Sequence, residues 1–327
     1  MGRTLRRCAL TVSLVIASGV PAYGWGNVGH MAVAFVAYQR LKPNVRNRVD
    51  ALVSLNPKFG QWQAMIPAGT PAAQRRLMLF MIAATWADQI KGDGEHVSDG
   101  THGGNRPPAD GTATQNIGYS DTAMHKYWHF VDLPFSPDHT QLQNPPVPNA
   151  QTQINAFRMV LASNAPDPLK SYDLVWVLHL VGDIHQPLHA TARFTSSQPA
   201  GDDGGNGVKI CNPVPSCDGN LHSFWDGLPG DVREIAAAVA PAIAYGQSLP
   251  AATAAAGATN LNTATWITES FNAARSRVYM APIGVGVGPF TVNNAYRNSS
   301  SNLARQRVAL AGARLANILN KELKTAS

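Results

Sequence analysis

Cysteine is scarce in this chain, with three among 327 residues. Cys8 falls in the N-terminal apolar run, which leaves Cys211 and Cys217 six apart in a loop rich in Gly, Pro and Asp. A two-cysteine metal site would want a second cysteine pair, and there is none. In an oxidising compartment the two thiols read as one local disulfide. The apolar run over residues 8–20 is too short to span a bilayer, which argues against a membrane anchor. Charge of one sign does not dominate. The net +6 includes Arg3, Arg6 and Arg7, and without residues 1–24 the balance is 23 basic to 20 acidic residues. That excludes the blanket basic surface of a protein that coats duplex nucleic acid. Strand signals are sparse, confined to 127–131 and 208–211, and no repeat of solenoid type occurs.

What is present begins with an export signal. The three arginines form its positive end, 8–20 its apolar run, and Ala22-Tyr-Gly24 a small-residue cleavage site. The expectation is a secreted or periplasmic protein with a 1–24 signal and a mature chain 25–327. Cleavage after Gly24 would make Trp25 the first residue. A free α-amine and its own carbonyl oxygen can chelate a metal through a five-membered ring. His30 follows in Trp25-Gly-Asn-Val-Gly-His30.

The mature length suits one large domain. Apolar periodicity predicts helices near 28–40, 43–55, 71–90, 151–162, 171–186, 232–247, 264–280 and 293–324. Two long polar loops, 91–120 and 192–220, separate them. Loops of that length in a compact domain are functional lids or disordered insertions. Candidate ligands lie on both sides of each, so neither is a domain linker. The fold class expected is all-α, a single multi-helix domain with long polar loops.

The chemistry concentrates in His179-Leu-Val-Gly-Asp183-Ile-His-Gln-Pro-Leu-His189. The helix that carries it is apolar almost all round and should be buried. His179 and Asp183 stand four apart, about 40° apart on one face. Pro187 stops the helix and His189 follows on the turn. A carboxylate and imidazoles in such a place are costly unless compensated, and a bound cation compensates them. His222 and Asp226 repeat the four-residue spacing just after a Gly-rich loop. Asp88 closes a helix, with Lys91 three positions on. Trp86 and Ala83-Ala84 imply that Asp88 is partly buried. His129 sits among aromatic residues, and the β-favouring run 127–131 favours it over its rival His125. His185, about 240° round the helix from His179, reads as structural. His96, His102 and His139 lie in polar loops and receive no site role. Five histidines, three aspartates and the Trp25 terminus are too many for one tetrahedral zinc. Two or three metals sharing Asp183 as a bridge would use them all. His and Asp ligands without thiolates suit zinc in an open catalytic site.

These motifs, joined by His129-Phe-Val-Asp132 and Gly204-Gly-Asn206, resemble across essentially the whole mature chain the secreted zinc-dependent single-strand nucleases of mung-bean-nuclease type. That family shares a superfamily with the zinc phospholipases C. The resemblance implies three Zn2+ ions in a cleft of a mostly helical fold. Asp88, His129, His179 and Asp183 would hold one. Trp25, His30 and the bridging Asp183 would hold a second, and His189, His222 and Asp226 the third. Catalytic roles fall to Asp88, Lys91 and Asp183, with Lys91 near the phosphate. Phe130 and Asp132 match positions that stack on and hydrogen-bond a base, and Asn206 orients a ligand or the substrate. The implied substrates are single-stranded DNA, RNA and 3′-nucleotides, handled by a monomer without stable membrane association. Two features depart from the family pattern. The 91–120 loop is longer, and a single cysteine pair stands where some members have two disulfides. The rival readings are a zinc phospholipase C, whose marks would be a Glu as last ligand and no base-binding pair, and a non-catalytic zinc-sequestering protein.

Overall fold

A helix that is apolar on every face must be surrounded, and one helix here is. The computed structural model describes residues 24–212, 215–251 and 256–323. Within it α7 (Asp167–Asp183) is buried at every position from Ser171 to Asp183. It is enclosed by α1 (Asn27–Tyr38), α2 (Pro43–Val53), α5 (Trp86–Gln89), α6 (Ala150–Ala162) and the C-terminal helix α11 (Asn294–Glu322). The first helix is nearly as enclosed, buried from Val28 to Tyr38. It packs on α4 (Ala72–Ala83), α9 (Ile235–Gln247) and α11. Side-chain caps mark the starts of α6 and α9. Asn149 forms a capping box with Thr152 at α6. Glu234 accepts from Ala236 and Ala237 and so sets the start of α9 three residues later than periodicity suggests.

Strands are few. β1 (Leu133–Phe135) pairs in parallel with β2 (Thr191–Arg193). β3 (Lys209–Cys211) lies between β4 (Gly219–Asn220), antiparallel, and β5 (Phe290–Thr291), parallel. Cys211 and Cys217 form the expected disulfide. The core has two main parts. The larger surrounds α1 and α7; the smaller gathers Leu188, Val208, Ile210, Leu221 and Trp225 near β3 and α8 (Leu221–Asp226). His189 sits at their seam, since Leu188 belongs to the smaller core and Ala190 to the larger.

Three expectations need correction. The helix expected over 71–90 is broken between α4 and α5. Thr85 turns its hydroxyl back onto Ile82 O at 2.8 Å, and the amide of Asp88 bonds to Thr85 O rather than Ala84 O. The run 127–131 is not a strand. Lys126–Trp128 is a 3-10 turn, entered from His125 with φ 44°, and the strand begins only at Leu133. Its β-favouring side chains are there for burial: Tyr127 and Trp128 are in the core, and Trp128 stacks on His125. The pattern over 264–280 resolves into α10 (Thr263–Ala273) and a π turn, Ala274–Val278. A short helix, α3 (Phe59–Ala64), was not expected. Of the expected 1–24 export signal, residues 1–23 lie outside the described residues. No described helix is long and apolar enough to cross a membrane.

Candidate metal centre

Six segments bring eight side chains to one place. His30 comes from α1, Asp88 from α5, and His179 and Asp183 from α7. His129 ends the Lys126–Trp128 turn, His189 sits on the turn Pro187–Ala190, and His222 and Asp226 lie on α8. All eight are buried. Their ligand atoms form three sets, each with its members within 4.8 Å: His30, Asp88 and His179; His129, His179 and Asp183; His189, His222 and Asp226. Asp183 stands between the sets. Its Oδ2 lies 2.9 Å from His129 Nδ1 and 3.2 Å from His179 Nε2. Its Oδ1 lies 3.4 Å from His30 Nε2 and 3.8 Å from His189 Nδ1.

Outer carbonyls fix which ring nitrogens face inward. His179 Nδ1 donates to Ala84 O at 2.8 Å, the carbonyl that the α4–α5 break sets free. His189 Nδ1 donates to His129 O at 2.8 Å and His222 Nδ1 to Gly204 O at 2.7 Å. With both Nδ1 atoms donating, the Nε2 atoms of His189 and His222 present lone pairs to each other at 3.1 Å. Two lone pairs repel, and a cation between them removes the repulsion. Both ring nitrogens of His30, His129 Nε2 and Asp183 Oδ1 are buried without a hydrogen-bond partner. Each such atom costs about 1–3 kcal/mol. Unsatisfied polar atoms gathered on one carboxylate and its imidazoles, a lone pair on each ring among them, fit a site for cations, and the all-N/O donor set fits zinc.

The electrostatics lean the same way. Burial, then His179, lowers the pKa of His30. Burial and Lys91 take His129 down to about 3. Burial works against the charges of Asp183 and Asp88, but His179 and His189 hold the first well below the usual carboxylate range. Lys91, then His179, holds the second low. Neutral imidazoles and charged carboxylates are the forms that bind metal. Two groups go the other way. Burial would lower His179, but Asp183 and Asp88 raise it. Burial, followed by Asp88 and Asp183, pushes Asp226 well above its ordinary value. Lys91 Nζ donates to Asp88 Oδ1 at 2.7 Å with both side chains largely buried, so this is not the common exposed pair.

The supporting frame explains several residues around the motifs. A Cβ at Gly182 would meet His30 Nδ1 at 2.9 Å, so this glycine lets α1 and α7 touch at the site. At Gly204, φ is +58° and a Cβ would lie 2.8 Å from Leu188 O, which keeps its carbonyl on His222. Gln186, which the sequence reading passed over, donates to Asp226 Oδ1 at 2.8 Å and accepts from the Leu188 amide at 2.6 Å. Its only sequence signal was its place just before Pro187. Trp25 is fully buried, and the Gly26 amide donates to Asp226 O at 3.0 Å. Gly24 runs against the ligands themselves: a Cβ on it would stand 1.7 Å from Asp183 Oδ1 and 3.0 Å from His30 Nε2. A cleft of about 590 Å³ reaches the site past Asp88 and Asp226.

This constellation has a counterpart among known proteins, for the S1/P1 Nuclease family matches residues 25–324. The chain belongs to the S1/P1 nuclease family. Its fold is accordingly the all-α fold of zinc phospholipase C type. Nuclease S1 of Aspergillus oryzae is 24% identical over 212 residues, which cover 62% of this chain and 54% of that protein. The chain thus matches about half the length of this relative. The family match starts at Trp25.

Other expected residues lie outside the cluster. Phe130 is half-buried, and its carbonyl accepts from the Ala150 amide at 3.1 Å. Asp132 lines a separate cavity of about 300 Å³ together with Phe194, Arg106 and His102, and Phe130 is not in its wall. Burial, then Asp203 and Asp202, pushes the Asp132 carboxyl well above the usual range. Asn206 donates to Asp203 O at 2.9 Å. His125 is held away from the cluster between Asp99 and Asp121. His185 packs behind it, 3.0 Å from Arg314 Nη1. His102, given no role from sequence, is on the Asp132 cavity, and only its place in a long loop hinted at it.

Proposed function

We propose that this chain is an exported, zinc-dependent phosphodiesterase that hydrolyses single-stranded DNA and RNA to 5′-phosphorylated products and acts on 3′-nucleotides. One observation carries the reading: three buried donor sets share or adjoin a single carboxylate, Asp183, in a chain of the S1/P1 nuclease family. The mature domain is 25–327, acting as a monomer behind a 1–24 signal. Three zinc ions would be held as grouped above, with Trp25 contributing its amine and carbonyl. Bound zinc supplies Lewis acidity toward phosphate oxygens and an activated water near neutral pH.

The protein's own groups do the rest. Asp183 offers one oxygen toward His129 and His179 and the other toward His30, the arrangement of a bridging ligand. Asp88, kept anionic by Lys91, would be one of the metal ligands and would orient a water beside the phosphate. Lys91 Nζ, on Asp88 Oδ1, would stand beside the place where phosphate charge develops. Asn206 would orient a ligand or the substrate. Asp132 would receive the edge of a base in the cavity it lines, with Phe130, two residues before it and outside that wall, to stack on the base. A base must leave its stack to reach them, which favours single strands over duplex. The test is to assay the mature protein, zinc-loaded and then chelated, on single-stranded DNA, duplex DNA, RNA and phosphatidylcholine. The expected result is chelator-sensitive cleavage of the single strands. Turnover of phosphatidylcholine alone would make it a phospholipase, and no turnover when loaded would make it a zinc-binding protein only.

A further inference from the structure

The 91–120 loop is a built finger rather than a slack insertion. At its base the Val97 amide donates to Thr122 O at 2.8 Å and the Met124 amide to Val97 O at 2.9 Å. The His125 ring then spans two carboxylates, Nδ1 at 2.8 Å from Asp99 Oδ2 and Nε2 at 2.6 Å from Asp121 Oδ2. At its tip Thr101 and Arg106 exchange backbone hydrogen bonds of 2.8 and 3.1 Å. Lys126 Nζ donates to Gly103 O at 3.3 Å. This double anchoring fixes the backbone of Arg106 at the rim of the cavity that Asp132 and Phe194 line from the other side.

That cavity is close to the metal centre along the chain. Asp132 is three residues beyond His129 and Ala192 three beyond His189, and β1 and β2 hold the two paths side by side. Three extended residues reach about 10 Å. Arg106 is exposed, and among the described residues its guanidinium donates only to the neutral Gln143 Oε1, at 3.3 Å, and pairs with no carboxylate. An arginine held by its backbone and open to solvent, in ion-pair contact with no carboxylate although Asp132 in the same cavity feels its charge, can take a phosphate group.

We propose that Arg106 contacts a phosphate of the strand beyond the one being hydrolysed, so that the 91–120 finger selects polymers over mononucleotides. A 3′-nucleotide with its single phosphate at the metal centre has nothing left for Arg106. A strand has further phosphates, and such contacts position the chain without reading its sequence. The inference rests on the function proposed above. It is tested by comparing parent, Arg106→Ala and Arg106→Lys on a thymidine oligonucleotide and on thymidine 3′-phosphate across a salt series. In Arg106→Ala the ratio of the two kcat/KM values should fall about tenfold at low salt, and the slope of log kcat/KM against log salt on the oligonucleotide should shrink by about 0.7. Arg106→Lys should keep most of that slope. An unchanged slope and ratio, or equal loss on both substrates, would overturn the proposal. Should the zinc-loaded parent cleave neither substrate, the catalytic reading fails separately. The anisotropy of the labelled oligonucleotide on the same proteins then gives the salt slope directly.

Discussion

Asp183 shows what a single position discloses in sequence and what it withholds. Its partner His179 was legible because a four-residue spacing on a helix has one geometric consequence, a shared face. That Asp183 also meets His30 and His129 was not legible from spacing, because those residues are 153 and 54 positions away and only packing unites them. The carbonyls that orient the imidazoles, Ala84 O and Gly204 O, were equally hidden, since every residue has a carbonyl and only tertiary structure aims it. The placement predicts unequal costs. Asp183→Asn changes one atom yet removes charge from a group that faces ligands of more than one set. It should lower bound zinc from about three per chain by more than one ion, while Asp226→Asn should lower it by about one. Plasma emission on folded protein decides it. Equal losses in the two variants would show that Asp183 does not bridge.

Element by element, existence was easier to read than continuity. The enclosed helix α7 declared itself through apolar residues on every face, and it is indeed buried all round from Ser171. The break between α4 and α5 did not, because Thr85 is a tolerable helix residue and its turned-back hydroxyl is a local choice decided by the His179 contact nearby. Aromatic residues at 127–128 misled for a related reason: β-propensity largely measures fit to a half-buried surface, and these side chains are buried from a turn. The enclosure of α7 has a consequence for pH. Asp173 is buried within it, where among the described residues only Asn116 Nδ2 donates to it, at 2.8 Å, and burial raises its pKa from 3.8 to about 7. The folded chain therefore binds this proton more tightly than the unfolded chain. Stability contributed by the protonated carboxyl is full below about pH 4 and declines as pH rises toward 7. A shift of that size corresponds to at most about 4 kcal/mol. Asp173→Asn keeps an acceptor for Asn116 and removes the titration. Its urea midpoint should be nearly flat between pH 4 and 7 relative to the parent. A parent and variant with parallel pH profiles would show that Asp173 is charged throughout.

At the scale of the whole molecule the site is a junction, with His30 and Asp183 supplied by the larger core and His222 and Asp226 by the helix that anchors the smaller one. Neither half completes a donor set for all three groups, so metal binding and the docking of the two cores should support each other. The start of the mature chain proposed above belongs to the same junction. Trp25 is buried and tied through Gly26 to Asp226, yet Gly24 passes so close to Asp183 Oδ1 that a Cβ there would stand 1.7 Å away. Whatever precedes Trp25 competes with a ligand for the space beside Asp183 and His30. A retained residue also converts the Trp25 amine into an amide, which is a poor ligand at neutral pH. Both effects act on one metal position and leave the other two sets untouched. A form that begins at Gly24 should therefore fold, by circular dichroism, but bind about two zinc ions where the form that begins at Trp25 binds about three. It should lose most of its nuclease activity. Placing alanine at position 24 in the longer form should add a steric conflict with Asp183 and lower its Tm, a change absent from the Trp25 form because that residue is gone. If the longer form, verified by mass spectrometry, holds as much zinc and cleaves single strands as fast as the shorter one, the Trp25 terminus is not a ligand. The second metal would then rest on His30 and Asp183 alone.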